Sequence, residues 1–338
     1  MKTYNIGVVG ATGAVGQEMI KMLFDRKFPV KSLRLLASER SSGKKVKVGD
    51  TEIAVEKLTP QSPKGLDIAL FSAGAAVSRE FAPYFAAAGC FVIDNSSAWR
   101  MEQGIPLVVP EVNPHTLSAD TRIIANPNCS TIQMVVVLKP LHDAARIKRV
   151  VIATYQSVSG AGGRGMDELE AQSRAWAKNE PLPAPVKFPY PIAFNLIPQI
   201  DIFLENEYTK EEMKMADETR KIMGDDSIAV SATCVRVPVF RAHSEAVWVE
   251  TEKKLSSKEA RELLAGADGV EVMDDPASRK YPMPADAANK QVTYVGRIRE
   301  DISTAKGLTF WIVSDNLLKG AALNAVQIAE ALVARKIV

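Results

Sequence analysis

Tyr4-Asn5-Ile6-Gly7-Val8-Val9-Gly10-Ala11-Thr12-Gly13-Ala14-Val15-Gly16 begins as a short apolar run and breaks into glycines spaced GxxGxxG. Val15, Met19, Met22 and Leu23 then recur at helical spacing, so the stretch reads as strand, glycine turn, helix. Glycines at such a turn let the backbone approach a pyrophosphate, and the helix start supplies N–H donors and a partial positive charge. The spacing differs from the standard GxGxxG, so a turn that only packs a helix on a strand stays open as the plainer reading. Leu33–Ala37 is a second strand candidate, followed by Ser38-Glu39-Arg40-Ser41-Ser42. An NAD site usually carries an acid at this point for the ribose hydroxyls. Arg40 with Ser38 and Ser41 suits a 2′-phosphate and favours NADP, while Glu39 keeps NAD open.

Further along, Asp67–Phe71, Cys90–Asp94 and Arg122–Ala125 are short apolar strand candidates, with helical stretches such as Ser78–Ala88 between them. Strands alternating with helices imply an α/β, doubly wound parallel sheet of the Rossmann type, with ligands at the carboxyl ends of its strands. Beyond about residue 150 the pattern changes. Val150–Val158, Ile228–Val239, Glu245–Thr251, Gln291–Ile298 and Leu308–Ser314 are longer strand candidates separated by polar or helical stretches, which predicts an α+β part with a mixed sheet. Pro181–Pro191 reads as a loop. Asn316–Ala334 reads as one helix, with Leu317, Ala321, Ala325, Ile328 and Leu332 on one face.

Composition narrows the class. The 338 residues fit two domains at ~100–200 residues each. Lysine and arginine exceed aspartate and glutamate by 42 − 40 = 2, which gives no sign of a nucleic-acid or membrane surface. Three cysteines with no CxxC spacing argue against a disulfide framework and a structural metal site. The N-terminal apolar run is short and enters a glycine turn directly, unlike a signal peptide, and no stretch reaches the ~18 apolar residues of a membrane span. A cytoplasmic protein is expected.

Asn126-Pro127-Asn128-Cys129-Ser130-Thr131 follows a strand candidate and starts a helix over Thr131–Leu141. A thiol at a helix N-terminus has its pKa lowered by the helix dipole and is populated as thiolate. Cys129 is therefore the candidate nucleophile, against the plainer reading of a small helix-capping residue. Cys90 and Cys234 sit in apolar segments and read as inert core residues. A reactive cysteine needs a base, and the chain offers His115, His142 and His243. His115 follows a proline in a loop, and His142 sits near a helix C-terminus, where a cation is simply stabilised. His243 lies in a bend between two strand candidates and is the candidate base, although spacing alone cannot bring it to Cys129.

With these residues in view, the chain resembles the bacterial aspartate-semialdehyde dehydrogenases from end to end. The resemblance is carried by GATGAVG at 10–16, SSAWR at 96–100, NPNCST at 126–131, QSVSGAGG at 156–163, EEMKM at 211–215, RVPVFRAHSE at 236–245 and DNLLKGAALNAVQIAE at 315–330. It implies NADPH-dependent reduction of L-aspartyl 4-phosphate to L-aspartate 4-semialdehyde, in lysine (by way of diaminopimelate), methionine and threonine synthesis. It implies Cys129 as the acyl-thioester nucleophile, His243 as acid/base and Gln156 as the residue that orients the acyl group. Arg236 matches the arginine for the substrate α-carboxylate, Glu211 the acid for its α-amino group, and Arg100 and Lys214 the phosphate pair, with Asn128 also at the substrate. Such roles suit the residue types, since a planar guanidinium captures carboxylate bidentately and Glu211 and Lys214, three apart, share a helix face. Without the resemblance that pair would read as a surface ion pair.

For the cofactor, NADP(H), the resemblance implies Gly10, Thr12, Gly13, Ala14 and Val15 at the turn. Ser38, Arg40, Ser41 and Ser72 join them, with Ser159, Gly160 and Asn316 at the nicotinamide half. Asn316 would also cap the last helix. Residues 1–128 and 316–338 are expected to form the NADP-binding domain, and 129–315 the catalytic and dimerisation domain of a homodimer. No metal is expected, and the partners are the small substrate and inorganic phosphate. N-acetylglutamyl-phosphate reduction is the nearest rival, disfavoured because Glu211 suits a free ammonium better than an amide. A glyceraldehyde-phosphate dehydrogenase is disfavoured by residues 38–41, and a non-catalytic NADP-binding protein by the presence of both Cys129 and His243.

Overall fold

The glycine turn leaves the middle strand of a seven-stranded sheet. In the computed structural model, which describes residues 2–338, one compact unit runs to Asn128 and takes back Ala321–Val338, and the other is Cys129–Gly320. The first unit contains β1 (Tyr4–Val9), α1 (Ala14–Asp25), β2 (Val30–Ala37), β3 (Lys45–Val48), β4 (Thr51–Lys57), β5 (Ile68–Phe71), α2 (Ala75–Ala87), β6 (Phe91–Asp94) and β7 (Ile123–Ala125). Their order in the sheet is β3-β4-β2-β1-β5-β6-β7. β1 pairs in parallel with β2 on one side and β5 on the other, so the order reverses at β1. That reversal opens the crevice at the carboxyl ends where doubly wound sheets take ligands. The sheet departs from the expected all-parallel form at its edge. There Val46 and Val48 alternate with exposed lysines and β3 returns antiparallel on β4. Buried strand residues such as Val9, Ala69, Phe71 and Val92 pack with Phe85 of α2, and Phe71 meets Phe85 edge-on at 5.0 Å. Such aromatic pairs add ~0.5–1.5 kcal/mol beyond burial. The C-terminal helix (Leu323–Ala334) is tied to α1 by a two-pronged Arg26–Glu330 pair, both contacts 2.7 Å.

The second unit contains α3 (Cys129–Ala145), β8 (Ile147–Gln156), α4 (Gly163–Ala177), α5 (Lys210–Met223), β9 (Ala229–Arg236), β10 (His243–Thr251), α6 (Ser257–Ala265), β11 (Val270–Val272), α7 (Pro284–Ala287), β12 (Thr293–Glu300) and β13 (Gly307–Ser314). The sheet order is β11-β12-β13-β10-β8-β9, with β8 parallel to β9 and antiparallel to β10, a mixed sheet as the strand pattern predicts. Its inner face buries Ile152, Val247, Val249, Phe310 and Ile312 against Met134, Val137, Leu138 and Leu141 of α3. The opposite face leaves Trp248 37% exposed and sets Tyr155 against Trp311 at 5.4 Å.

Most strand ends shift by a few residues, β10 beginning at His243 and not at Glu245, and two helix starts differ in a way that bears on the site. α3 begins at Cys129, not Thr131. The last helix does not begin near Asn316 but at Leu323, after a π turn over Leu318–Ala322, and Ala322 is its N-cap. The cause is Asp315, whose buried carboxylate accepts from the N–H groups of Leu317 (2.9 Å) and Leu318 (3.1 Å). Asn316 is thereby released from capping and turned to other partners.

Candidate active site

Cys129 is the first residue of α3, half-buried, at the positive end of the helix dipole. The π turn passes very close to it. A Cβ on Gly320 would stand 2.9 Å from the Cys129 Cβ and 3.2 Å from its Cα, so only glycine fits there. The other two cysteines are fully buried. Burial pushes the Cys90 thiol up to about 12 and the Cys234 thiol higher still, which leaves both inert at neutral pH.

Around the ends of β8 and β9 the second unit gathers polar side chains that are almost all buried. Gln156 and Arg236 are cross-strand partners at the two strand ends. Gln156 accepts from Thr154 Oγ1 (3.1 Å) and donates through Nε2 to Glu211 Oε1 (3.1 Å). Glu211 Oε2 pairs with Lys214 Nζ at 3.0 Å, and the same ammonium reaches Asp201 Oδ2 at 3.0 Å. Burial works against the Lys214 charge, but Glu211 and Asp201 outweigh it and the pKa is raised. Glu211 is 6% exposed, so this is not the solvated surface pair that spacing alone would suggest. α5 is held by a capping box in which the Thr209 hydroxyl accepts from the Glu212 N–H and the Thr209 N–H donates to Glu212, a device contributing ~1 kcal/mol. Glu212 also accepts from the Cys234 N–H (2.9 Å), which ties α5 to β9 and fixes where Glu211 points. Arg236 donates through Nη1 to the Ser157 carbonyl (2.7 Å). Burial lowers its pKa against the pull of Glu211 and of the Cys129 sulfur.

His243, the first residue of β10, is fully buried. Its Nδ1 accepts from the Ser157 N–H at 3.0 Å and lies 3.0 Å from the Ser157 hydroxyl. Burial and the nearby Arg236 charge push its pKa down to about 3. Asn316 Oδ1 accepts from Ser157 Oγ (3.1 Å), Ser159 Oγ (3.0 Å) and the Ala242 N–H (3.0 Å), which binds the π turn to the bend before His243. Gly160 is exposed and lies over this group. A Cβ there would be 3.0 Å from Arg236 Nη1 and 3.3 Å from His243 Nε2. Among the residues expected at the site, the second unit thus brings together Gln156, Glu211, Lys214, Arg236, His243, Ser159, Gly160 and Asn316. His142 is elsewhere and accepts from the Ile147 N–H (3.2 Å). His115 belongs to the first unit, in a short 3₁₀ turn.

In the first unit, the glycine turn has the features a dinucleotide requires. Gly10 has φ +85°, and a Cβ there would lie 2.5 Å from the Ser72 carbonyl oxygen. A Cβ on Gly16 would lie 2.2 Å from the Gly10 carbonyl oxygen. α1 starts at Ala14 and Val15 with no side-chain cap, so its first N–H groups face outward for an anion. Thr12 Oγ1 reaches Ser41 Oγ at 3.4 Å, linking the turn to the end of β2. There Glu39 is paired with Lys57 (2.9 Å), whereas Ser38 and Arg40 are exposed and Arg40 makes no ion pair among the described residues. Arg100 is buried and donates through Nε to the Asn126 carbonyl (3.0 Å) and through Nη2 to the Asn95 carbonyl (3.1 Å), at the ends of β6 and β7. Asn128 is buried at the end of the unit.

The sequence reading missed Ser157, Asp201, Asp315 and Glu245. Ser157 had a signal, since it follows Gln156 within QSVSGAGG. Asp315 and Glu245 lie in two further stretches that carry the resemblance, and Asp201 shows only through its contact with Lys214. Among the described residues no group of three histidine, cysteine, aspartate or glutamate side chains is arranged to hold a metal ion, and no helix is long and apolar enough to cross a membrane.

Comparison with known proteins agrees with this geometry. The family model described as "Semialdehyde dehydrogenase, NAD binding domain" matches residues 5–120, and "Semialdehyde dehydrogenase, dimerisation domain" matches residues 138–319. The aspartate-semialdehyde dehydrogenase of Aquifex aeolicus is 56% identical over 333 residues, 98% of each chain. The crystal structure of aspartate semialdehyde dehydrogenase II of Vibrio cholerae, complexed with ASA, superposes with a TM-score of 0.95 at 48% identity over 99% of each chain. The enzyme of Candida albicans with NADP superposes with a TM-score of 0.79 at 26% identity, covering all of both chains. The chain belongs to the aspartate-semialdehyde dehydrogenase family.

Proposed function

We propose that the chain reduces L-aspartyl 4-phosphate to L-aspartate 4-semialdehyde, with release of phosphate, through a thioester on Cys129 and with NADPH as reductant. The observation that carries this reading is a cysteine at the start of a helix, in the same unit as the buried group Gln156, Glu211, Arg236 and His243. The glycine turn over Gly10–Gly16 fits a pyrophosphate. The engaged Glu39, the unpaired Arg40 and the crystal structure of the Candida albicans relative with NADP support NADP over NAD. When bound, the cofactor supplies the hydride that takes the thioester to the aldehyde level.

The chain's own residues do the rest. The Cys129 sulfur attacks the acyl carbon, which splits one difficult substitution into two easier ones. Gln156 orients the acyl group. Arg236 captures the α-carboxylate with the part of its fork not held by Ser157. Glu211 takes the ammonium, and Lys214 with Arg100 takes the phosphate. Asn128 lies at the substrate. Because Glu211 and Lys214 are paired to one another beforehand, a substrate that carries both charges exchanges one ion pair for two. Residues 1–128 with 316–338 serve the cofactor, and 129–315 serve catalysis and dimerisation. The apolar sheet face around Trp248 and Trp311 supports a homodimer. The reaction belongs in the cytoplasm, in lysine, methionine and threonine synthesis.

The test is phosphate-dependent reduction of NADP by purified protein, with L-aspartate semialdehyde and N-acetylglutamate semialdehyde in parallel and NAD as second cofactor. Turnover with the first aldehyde and NADP is expected, lost in Cys129→Ser. Turnover with the second aldehyde alone would overturn the roles of Glu211 and Arg236, and equal turnover with NAD would overturn that of Arg40.

A further inference from the structure

Arg236 is buried, yet its guanidinium makes a single hydrogen bond among the described residues, from Nη1 to the Ser157 carbonyl at 2.7 Å. A guanidinium carries five N–H donors in a rigid fork, so a bond at one corner leaves its plane free to turn. An aromatic ring also faces it. The Arg236 Cζ lies over the ring of half-buried Phe188, 5.9 Å from its centroid and within the ~6 Å reach of a cation–π contact. Such a contact strengthens where water is excluded.

Phe188 sits in the proline-rich segment between α4 and α5, which has no regular structure, and α4 holds that segment on both sides of the ring. Glu168 Oε2 accepts from the N–H groups of Val186 (2.8 Å) and Lys187 (2.6 Å). Gln172 Oε1 accepts from those of Ile192 (2.9 Å) and Ala193 (3.0 Å). Glu168 and Gln172 are four apart and share a helix face. Gly165, three residues before Glu168, leaves room on the same face. A Cβ there would stand 3.1 Å from Phe188 Cζ and 2.8 Å from the Val158 carbonyl oxygen. Phe188 packs on a small core of Val158, Leu169, Ile192, Ala193 and Ile197, apart from the main core of the second unit. The far end of the segment is stitched to the arginine itself, since Ile197 and Arg236 exchange both backbone hydrogen bonds, at 3.0 and 2.8 Å.

We propose that Phe188 is a positioning residue for substrate recognition, whose ring covers the Arg236 guanidinium and sets the plane in which that fork meets a carboxylate. The inference rests on the role given above to Arg236 and deepens it. Bidentate capture needs two N–H groups aimed at two oxygens at once, so a fork free to turn loses one of them. An acidic neighbour would fix the plane by occupying the donors that the substrate needs. A ring over one face holds the plane and leaves every donor in the fork open. It also keeps water from that face, where water lowers the strength of a charge–charge contact.

The test compares the full-length parent with Phe188→Leu, which keeps apolar bulk in the small core, and Phe188→Tyr, which keeps the ring. Phe188→Met takes the place of the leucine variant if that one does not fold. Two aldehydes are turned over, L-aspartate semialdehyde and 3-aminopropanal, which lacks only the α-carboxylate. With the first, Phe188→Leu should raise KM by ~5–30-fold, the worth of a cation–π contact in a desolvated setting, while kcat and the KM for phosphate stay as in the parent. Phe188→Tyr should match the parent. With 3-aminopropanal, the parent and Phe188→Leu should share one kcat/KM, because Arg236 has no carboxylate to meet. An unchanged KM for L-aspartate semialdehyde, an equal loss with both aldehydes, or a Phe188→Tyr enzyme as impaired as Phe188→Leu would each overturn the proposal. Arg236→Leu in the same assay tells the two readings apart. If it leaves the KM for L-aspartate semialdehyde unchanged, the role given to Arg236 fails. If it raises that KM and Phe188→Leu does not, only the part given to Phe188 fails.

Discussion

His243 and Glu245 stand two residues apart on β10, point the same way and are both fully buried. Neither Glu245 oxygen has a hydrogen-bond partner among the described residues. Burial raises its pKa well above the ordinary 4.5, against the opposing effect of Gln133, and so favours the neutral carboxyl in the folded protein. The sign of the linkage follows. Below pH 4.5 folded and unfolded chains both carry the proton. As pH rises, the unfolded chain ionises first, and stability is lost until the folded carboxyl ionises too. Glu245→Gln removes that loss. Its stability relative to the parent should climb by ~1.4 kcal/mol for each pH unit in this window. Denaturant unfolding of both proteins at pH 5 and pH 8 reads the difference, and an offset equal at the two pH values would contradict a neutral Glu245. None of this is legible in the sequence, where Arg241-Ala242-His243-Ser244-Glu245 is simply polar. Cys129 was legible because its helix start shows in the residues around it.

Among the elements, periodicity reported existence and type well and ends poorly. The glycine turn, the parallel strands around β1 and the long strands of the second sheet follow from apolar runs and their spacing. The β3–β4 hairpin went unread because its apolar residues are few and its partner lysines dominate. The start of the last helix was misread because apolar spacing continues through the π turn, while the carboxylate of Asp315 sets the actual path. That turn matters to Cys129. Gly320→Ala would bring a Cβ within 2.9 Å of the Cys129 Cβ, and either the turn or the nucleophile must shift. Displacement of a reacting group by about an ångström costs up to ~100-fold in rate. Gly320→Ala is therefore expected to lower kcat by ~10–100-fold while NADP affinity, measured by fluorescence titration, stays as in the parent. Unchanged kcat would show that the π turn does not set the position of the sulfur.

At the scale of the whole chain, the division into a dinucleotide part and a cysteine part was announced by the change from short alternating strands to long ones. The return of the C-terminal helix to the first unit is a long-range fact that local patterns do not carry. It shows in pairings such as Asn324 Nδ2 to the Val108 carbonyl (3.0 Å) and Gln327 to Glu111 (2.8 Å). The account requires both parts to act in one reaction through an acyl group on Cys129. The most direct measurement mixes the enzyme with L-aspartate semialdehyde and NADP in the absence of phosphate, then identifies the labelled peptide by mass spectrometry. The account predicts a rapid burst of NADPH stoichiometric with enzyme and an aspartyl group on the peptide that contains Cys129, released when phosphate is added. A burst-free time course, or an acyl group on any other residue, would contradict it.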